Sequence, residues 1–132
     1  MKILIVDDDA VSRMILQRFL AAYGDCVCAE HGPEGMALFG AALESGEPFE
    51  LVCMDIQMPG MSGPEALARM REQERQAGVT PGREIKAVMV TCHDDVKNVC
   101  ASFFQGQATC YLTKPLSQDV LVETLRREKI IP

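Results

Sequence analysis

Five short apolar runs, each followed by a stretch with helical spacing, constrain this chain more than any other feature of its sequence. The runs are Ile3–Val6, Val27–Ala29, Leu51–Met54, Ala87–Val90 and Thr109–Leu112. Runs of four or so residues that are apolar at nearly every position suit strands covered on both faces. Between them the apolar residues recur every three or four places. Val11, Met14, Ile15, Phe19 and Ala22 form the first such stripe, and Gly35, Leu38, Phe39 and Leu43 the second. Leu67 and Met70, followed by a polar tail over Arg71–Gln76, make the third. Val96, Val99, Cys100, Phe103 and Phe104 make the fourth, and Leu121, Thr124 and Leu125 the fifth. The pattern βαβαβαβαβα predicts an α/β fold: a five-stranded, doubly wound parallel sheet flanked by five helices.

Local signals agree with this division. Pro33 and Pro64 suit first-turn positions, Ser117 suits an N-cap, and Gly24 and Gly106 suit helix stops. The loosest part is the connection Gln76–Arg83, between the third helix and the fourth strand. With 132 residues, 48% of them hydrophobic and 24% charged, the chain is expected to be one domain, residues 1–132, with one ordinary core.

The net charge of −6 argues against direct nucleic-acid binding, which normally uses a basic patch. The one basic cluster, Arg126, Arg127 and Lys129, falls where it complements the negative end of a helix dipole. Met1-Lys2 leads straight into a four-residue apolar run, too short for a signal or a membrane span, so a cytoplasmic location is expected. The six cysteines lack zinc-ligand spacing and read mostly as small buried hydrophobes in a reducing compartment.

In open doubly wound sheets, ligands gather at the carboxyl ends of the strands. The first run ends at Asp7-Asp8-Asp9, the third at Asp55, the fourth at Thr91 and the fifth at Lys114-Pro115. Carboxylates collected at one edge repel each other; two unit charges about 4 Å apart cost roughly 4 kcal/mol at an effective dielectric near 20. A hard divalent cation offsets this, and Mg²⁺ fits because it binds through a couple of carboxylates, keeps waters and leaves room for a phosphate oxygen. Counting formally, three aspartates against Mg²⁺ and Lys114 come to neutral. Such a pocket can accept a phosphoryl group, since the cations spread the charge on its oxygens.

With these motifs in place, the chain resembles the response-regulator receiver domains of two-component signalling, which share the CheY-like fold. The resemblance spans essentially the whole chain. It rests on Ile3-Leu4-Ile5-Val6-Asp7-Asp8-Asp9, on Met54-Asp55-Ile56-Gln57-Met58-Pro59-Gly60-Met61-Ser62-Gly63, on Val90-Thr91, and on Tyr111-Leu112-Thr113-Lys114-Pro115. It implies strand order 2-1-3-4-5 and a signalling switch rather than an enzyme, one that catalyses only its own phosphotransfer and autodephosphorylation. Asp55 would be the phosphoacceptor, served by a sensor histidine kinase or a histidine phosphotransfer protein. Asp8 and Asp55 would ligate Mg²⁺ directly, Asp7 mainly through water, and the Gln57 backbone carbonyl would complete the set. Lys114, Thr91 and the Cys92 backbone N–H would contact the phosphate. Thr91 and Tyr111 would form the switch, and the Lys114–Pro115 bond would be cis.

Gln57 and His93 occupy the two variable positions that flank the phosphoacceptor in this family, so they are the candidates for tuning the phosphoryl lifetime. The readout face is expected around Lys97, Gln105, Tyr111 and Val122, on the fourth helix, fifth strand and fifth helix. It would serve protein contacts, as a monomer or as a phosphorylation-dependent dimer. Start and end suggest a stand-alone regulator, against a module cut from a hybrid kinase or transcription factor.

Other readings remain open at this point. Three aspartates after a strand also suit a solvated loop that caps the next helix. Asp7-Asp8-Asp9 also fits the D-x-D of haloacid-dehalogenase-type phosphatases. That fold needs a further acidic pair after the lysine, where only the scattered Asp119, Glu123 and Glu128 follow, and it leaves Asp55 unexplained.

Overall fold

A computed structural model describes residues 1–92 and 108–132. Chain order is β1 (Lys2–Val6), α1 (Ala10–Leu20), β2 (Asp25–Ala29), α2 (Gly32–Ser45), β3 (Leu51–Asp55), α3 (Gly63–Gln76), β4 (Lys86–Thr91), β5 (Cys110–Thr113) and α4 (Gln118–Arg127). All five strands join one parallel sheet in the order β2-β1-β3-β4-β5. The described residues contain four helices; the one expected over Val96–Phe104 lies outside them, as does Gly106.

Why the runs are apolar throughout is visible in the two layers they separate. Successive side chains of a strand point to opposite faces. Leu4 and Val6 of β1, Val52 and Met54 of β3, and Ala87 and Met89 of β4 pack on one face, with Phe39 and Ala42 of α2 and Ala66, Leu67 and Met70 of α3. Ile3 and Ile5, Leu51 and Cys53, and Val88 face the other way, against Leu16 and Leu20 of α1 and Leu121 and Leu125 of α4. Neither side of the central strands meets water, so no polar residue is tolerated until the strand ends.

Side chains at the helix starts explain where the helices begin. Asp9 caps α1 by accepting from the Val11 N–H (3.2 Å) and the Ser12 hydroxyl (2.9 Å). His31 caps α2 through Nδ1, which accepts from the Glu34 N–H, and Ser62 and Ser117 cap α3 and α4. Pro33 and Pro64 sit in first turns, where no N–H is missed. Arg126 and Arg127 occupy the last turn of α4, as the dipole argument expects.

One sequence expectation changes. Gly24 is not the stop of α1, which closes at Ala21 in an ordinary helical conformation. A Cβ on Gly24 would come within 2.2 Å of the Met1 carbonyl oxygen, so the glycine is required by close approach of the chain start to β2. The polar tail of α3 is partly buried. Arg71 and Glu74 are buried and pair at 2.9 Å; Arg71 also donates to the Ile85 carbonyl (2.8 Å), and Glu74 accepts from the Ile85 N–H (2.7 Å). This clamp ties α3 to the residue just before β4, across the loop that looked loosest. Of the described cysteines, Cys53 and Cys110 are buried, Cys26 and Cys28 are half-buried and Cys92 is exposed. Burial holds the Cys53 thiol well above its ordinary pKa and pushes that of Cys110 up to about 11.

Candidate functional site

Strand register brings the polar ends together. Val6 lies beside Met54, Asp55 beside Val90, and Thr91 beside Thr113. Asp7 and Asp55 therefore emerge level with each other from adjacent strands, and Lys114 follows one step past Thr91. Main-chain hydrogen bonds continue the alignment beyond the ladders: Ile56 N–H to Val90 carbonyl (3.0 Å) and Lys114 N–H to Thr91 carbonyl (2.7 Å).

The loop after Asp55 turns back sharply. Gly63 donates from its N–H to the Ile56 carbonyl at 2.9 Å, and a Cβ on Gly63 would meet the Asp55 carbonyl oxygen at 2.3 Å. Only a residue without a Cβ lets α3 start this close to the end of β3. Asp55 Oδ1 accepts from the Gln57 N–H at 3.1 Å, so the same loop orients the carboxylate.

Lys114 Nζ lies 3.3 Å from Asp55 Oδ2 and 3.1 Å from Asp7 Oδ2. The contact to Asp55 is a hydrogen bond; the one to Asp7 is an ion pair at hydrogen-bonding distance but without the alignment, so buried Oδ2 has no directed donor. The other oxygen of Asp7 accepts from the Asp9 N–H at 2.9 Å. Asp7 is fully buried and Asp55 nearly so, at 8% exposure, while Asp8 is exposed.

Electrostatics follow from this crowding. Burial, and then the charge of Asp7, push the Asp55 pKa from 3.8 up to about 6, against the pull of Lys114. Burial works against the Lys114 ammonium, but Asp55 and Asp7 outweigh it and hold its pKa above the usual lysine range. The capping bonds from Ser12 and Val11 lower the pKa of Asp9. Asp9 is thus engaged by the start of α1, and the capping reading of the three aspartates is correct for this one alone.

Could these residues hold a divalent cation? Ligand oxygens of Asp7, Asp8 and Asp55 all lie within 4.8 Å of one another. Asp7 Oδ2 is a buried anionic oxygen lacking an aligned donor, and all three groups are hard oxygen donors. The set fits Mg²⁺, which favours oxygen ligands at about 2.1 Å and keeps part of its water shell.

Thr91 is buried at the end of β4, its hydroxyl donating to the Cys92 carbonyl at 3.3 Å, and Cys92 is exposed beside it. Tyr111, on β5, is 46% exposed. The Lys114–Pro115 peptide is cis. His93, Lys97 and Gln105 lie outside the described residues. Two contributors were not anticipated from sequence. Gly63 could have been suspected from its place at the end of the Pro-Gly loop. Arg13, whose guanidinium donates to the Asp7 carbonyl at 2.7 Å, could not, because the partner is a main-chain atom.

Residues 3–126 match the family model described as "Response regulator receiver domain". The sensor histidine kinase GacS of Pseudomonas protegens is 33% identical over 124 residues, which are 94% of this chain but 13% of that protein. This chain thus spans about one eighth of the length of that relative. The receiver domain of the histidine kinase CKI1 of Arabidopsis thaliana, solved with Mg²⁺ and BeF₃⁻, superposes with a TM-score of 0.83 at 27% identity, covering 98% of this chain and 90% of that one. The receiver domain of Ssk1 of Saccharomyces cerevisiae, solved with the histidine phosphotransfer protein Ypd1, gives 0.77 at 26% identity, over 94% and 85%.

Proposed function

Because the chain belongs to the response regulator receiver domain family, we propose that it is a phosphorylation-driven switch in which Asp55 takes a phosphoryl group from a phosphohistidine donor. The observation that carries the reading is the meeting of Lys114 with both Asp55 and Asp7, with Asp8 alongside, at one sheet edge. In the transfer, an Asp55 carboxylate oxygen forms a bond to phosphorus as the bond to the donor imidazole nitrogen breaks, and the imidazole leaves with a proton. Asp55 must be ionised for this, and its raised pKa means that added positive charge favours the reactive form. Mg²⁺, bound to Asp8 and Asp55 with the Gln57 backbone carbonyl and with Asp7 through water, would supply that charge and neutralise the phosphoryl oxygens.

Lys114 holds a phosphoryl oxygen by charge, and the Thr91 hydroxyl and the Cys92 N–H donate to others. Moving Thr91 toward the phosphate opens space for Tyr111 to turn inward from its exposed position, which shifts a two-state balance already present before phosphorylation. Gln57 and His93 tune how water reaches the acyl phosphate. In this reading residues 1–132 work as one receiver unit in the cytoplasm and act by protein contact. The donor is a histidine kinase or a phosphotransfer protein, and no nucleic acid is bound directly. Among the described residues no helix is long and apolar enough to cross a membrane.

The test is labelling with acetyl phosphate and Mg²⁺, read by intact mass. One phosphoryl group per chain is expected in the parent and none in Asp55→Asn. Persistent labelling of that variant, or continuous release of phosphate from p-nitrophenyl phosphate, overturns the assignment.

A further inference from the structure

Asp7 is held on three sides by hydrogen bonds within the chain. Its N–H donates to the Ala29 carbonyl at 3.2 Å, its Oδ1 accepts from the Asp9 N–H at 2.9 Å, and its carbonyl accepts from Arg13 Nη1 at 2.7 Å. The third is the only one of these made by a side chain outside the acidic loop. Arg13 lies one turn into α1, with a side chain only 17% exposed, and its Nη2 approaches Glu30, just after β2, at 3.6 Å. Glu30 is itself tied to α2, because its N–H donates to the Glu34 carboxylate at 3.2 Å.

The Asp7 carbonyl belongs to the peptide plane that joins Asp7 to Asp8. Rotating that plane swings the direction in which the Asp8 side chain leaves the backbone, since the plane is rigid and only the flanking dihedrals are soft. A charged donor fixing the carbonyl oxygen therefore fixes where an exposed carboxylate points. A guanidinium suits this task, as its forked donors serve the carbonyl and Glu30 together without losing charge.

We infer that Arg13 is a positioning residue for the divalent-cation site, holding the Asp7–Asp8 peptide so that Asp8 meets Asp7 and Asp55. The inference rests on the reading of the acidic cluster given above. It makes an unusual demand on sign. A cation beside a cation site repels the metal, so deleting the Arg13 charge should tighten binding if charge were all that mattered. A positioning role requires binding to weaken.

The experiment is isothermal titration of the full chain with Mg²⁺, and of Mn²⁺ by electron paramagnetic resonance, at two salt concentrations. The metal-free Tm is recorded for each protein. Arg13→Gln should bind both ions about tenfold more weakly, the lower end of losses seen when an outer partner of a metal ligand is removed. Arg13→Lys, which keeps the charge and one donor, should fall between parent and Arg13→Gln. Glu30→Gln should lose less than about threefold, since its side chain is 69% exposed and the bond to Asp7 survives.

Binding by folded Arg13→Gln that equals or exceeds the parent's overturns the inference while leaving the phosphoacceptor reading intact. A parent that binds neither ion at millimolar concentration overturns both. Should Arg13→Gln fail to fold, Arg13→Lys decides: parent-like affinity with a lowered metal-free Tm marks a structural role and refutes positioning.

Discussion

Replacing Asp55 with asparagine should stabilise the metal-free protein at neutral pH, although it destroys the proposed reactive group. In the folded chain, burial and the neighbouring Asp7 raise the Asp55 pKa from 3.8 to about 6. Between those values the folded state keeps a proton that the unfolded state has lost. Stability therefore falls as pH rises through this window, and the whole cost is present above about pH 6. Each tenfold step in acid strength is worth about 1.4 kcal/mol, which bounds the cost near ~3 kcal/mol. The open rim of the sheet lets water screen part of it, so about 2 kcal/mol is the expected gain from Asp55→Asn. Asparagine is nearly isosteric and can keep an oxygen toward the Gln57 N–H.

The assay is urea denaturation in EDTA at steps from pH 4 to 8. Parent and variant should have nearly equal stability at pH 4 and diverge up to about pH 6, with a plateau beyond. At pH 7 the variant's Tm should be higher by about 5–10 °C. Saturating Mg²⁺ should reverse the order, because at a hundred times its dissociation constant a ligand adds about 2.7 kcal/mol to the form that binds it. A variant that is less stable than the parent at pH 8 without metal, or a gap that ignores pH, would refute the account of a crowded acidic pocket.

Three more outcomes follow from the same structure. Arg71→Met leaves buried Glu74 without its cation and should cost about 3–5 kcal/mol by urea denaturation, only part of it recovered in the Arg71→Met, Glu74→Leu double variant, which still leaves the Ile85 N–H and carbonyl without these partners. Gly63→Ala places a methyl group 2.3 Å from the Asp55 carbonyl oxygen and 2.8 Å from Met89 Cε. It should lower stability by about 1–3 kcal/mol and slow acetyl-phosphate labelling at least about tenfold, with unchanged far-UV circular dichroism showing the sheet intact. Lys114→Gln removes the positive charge that opposes the rise in the Asp55 pKa, so that pKa should climb above about 6, read by carboxylate NMR titration; a value at or below the parent's would contradict the pairing.

Sheet, layers and site differ in how much of themselves the residue types reveal. A strand such as Ile3–Val6, apolar at four positions running, has to be covered on both faces, and both layers of core meet it there. The abrupt change to Asp7, Asp55 and Lys114 at the ends of such strands is equally legible, because only an edge open to solvent or ligand tolerates charge. What residue type hides is the identity of a partner. Arg71 and Glu74 show by residue type only that the tail is polar, because hydropathy scores each side chain alone, whereas together they neutralise one another and satisfy both main-chain groups of Ile85.

Asp9 looked like its two neighbours, yet its carboxylate is spent on the Val11 N–H and the Ser12 hydroxyl, and it takes no place among the clustered oxygens of Asp7, Asp8 and Asp55. Arg13 was invisible for a related reason: its partner is a carbonyl oxygen, which every residue carries, so no spacing of side chains could announce the contact. The acidic site was therefore readable as a cluster of carboxylates, while the groups packed around those carboxylates are bound mostly to backbone. It follows that two receiver domains with identical acidic residues can differ in cation affinity through positions such as Arg13 and Gly63. Exchanging only those positions between such domains should move the Mg²⁺ affinity while leaving the ligand set untouched.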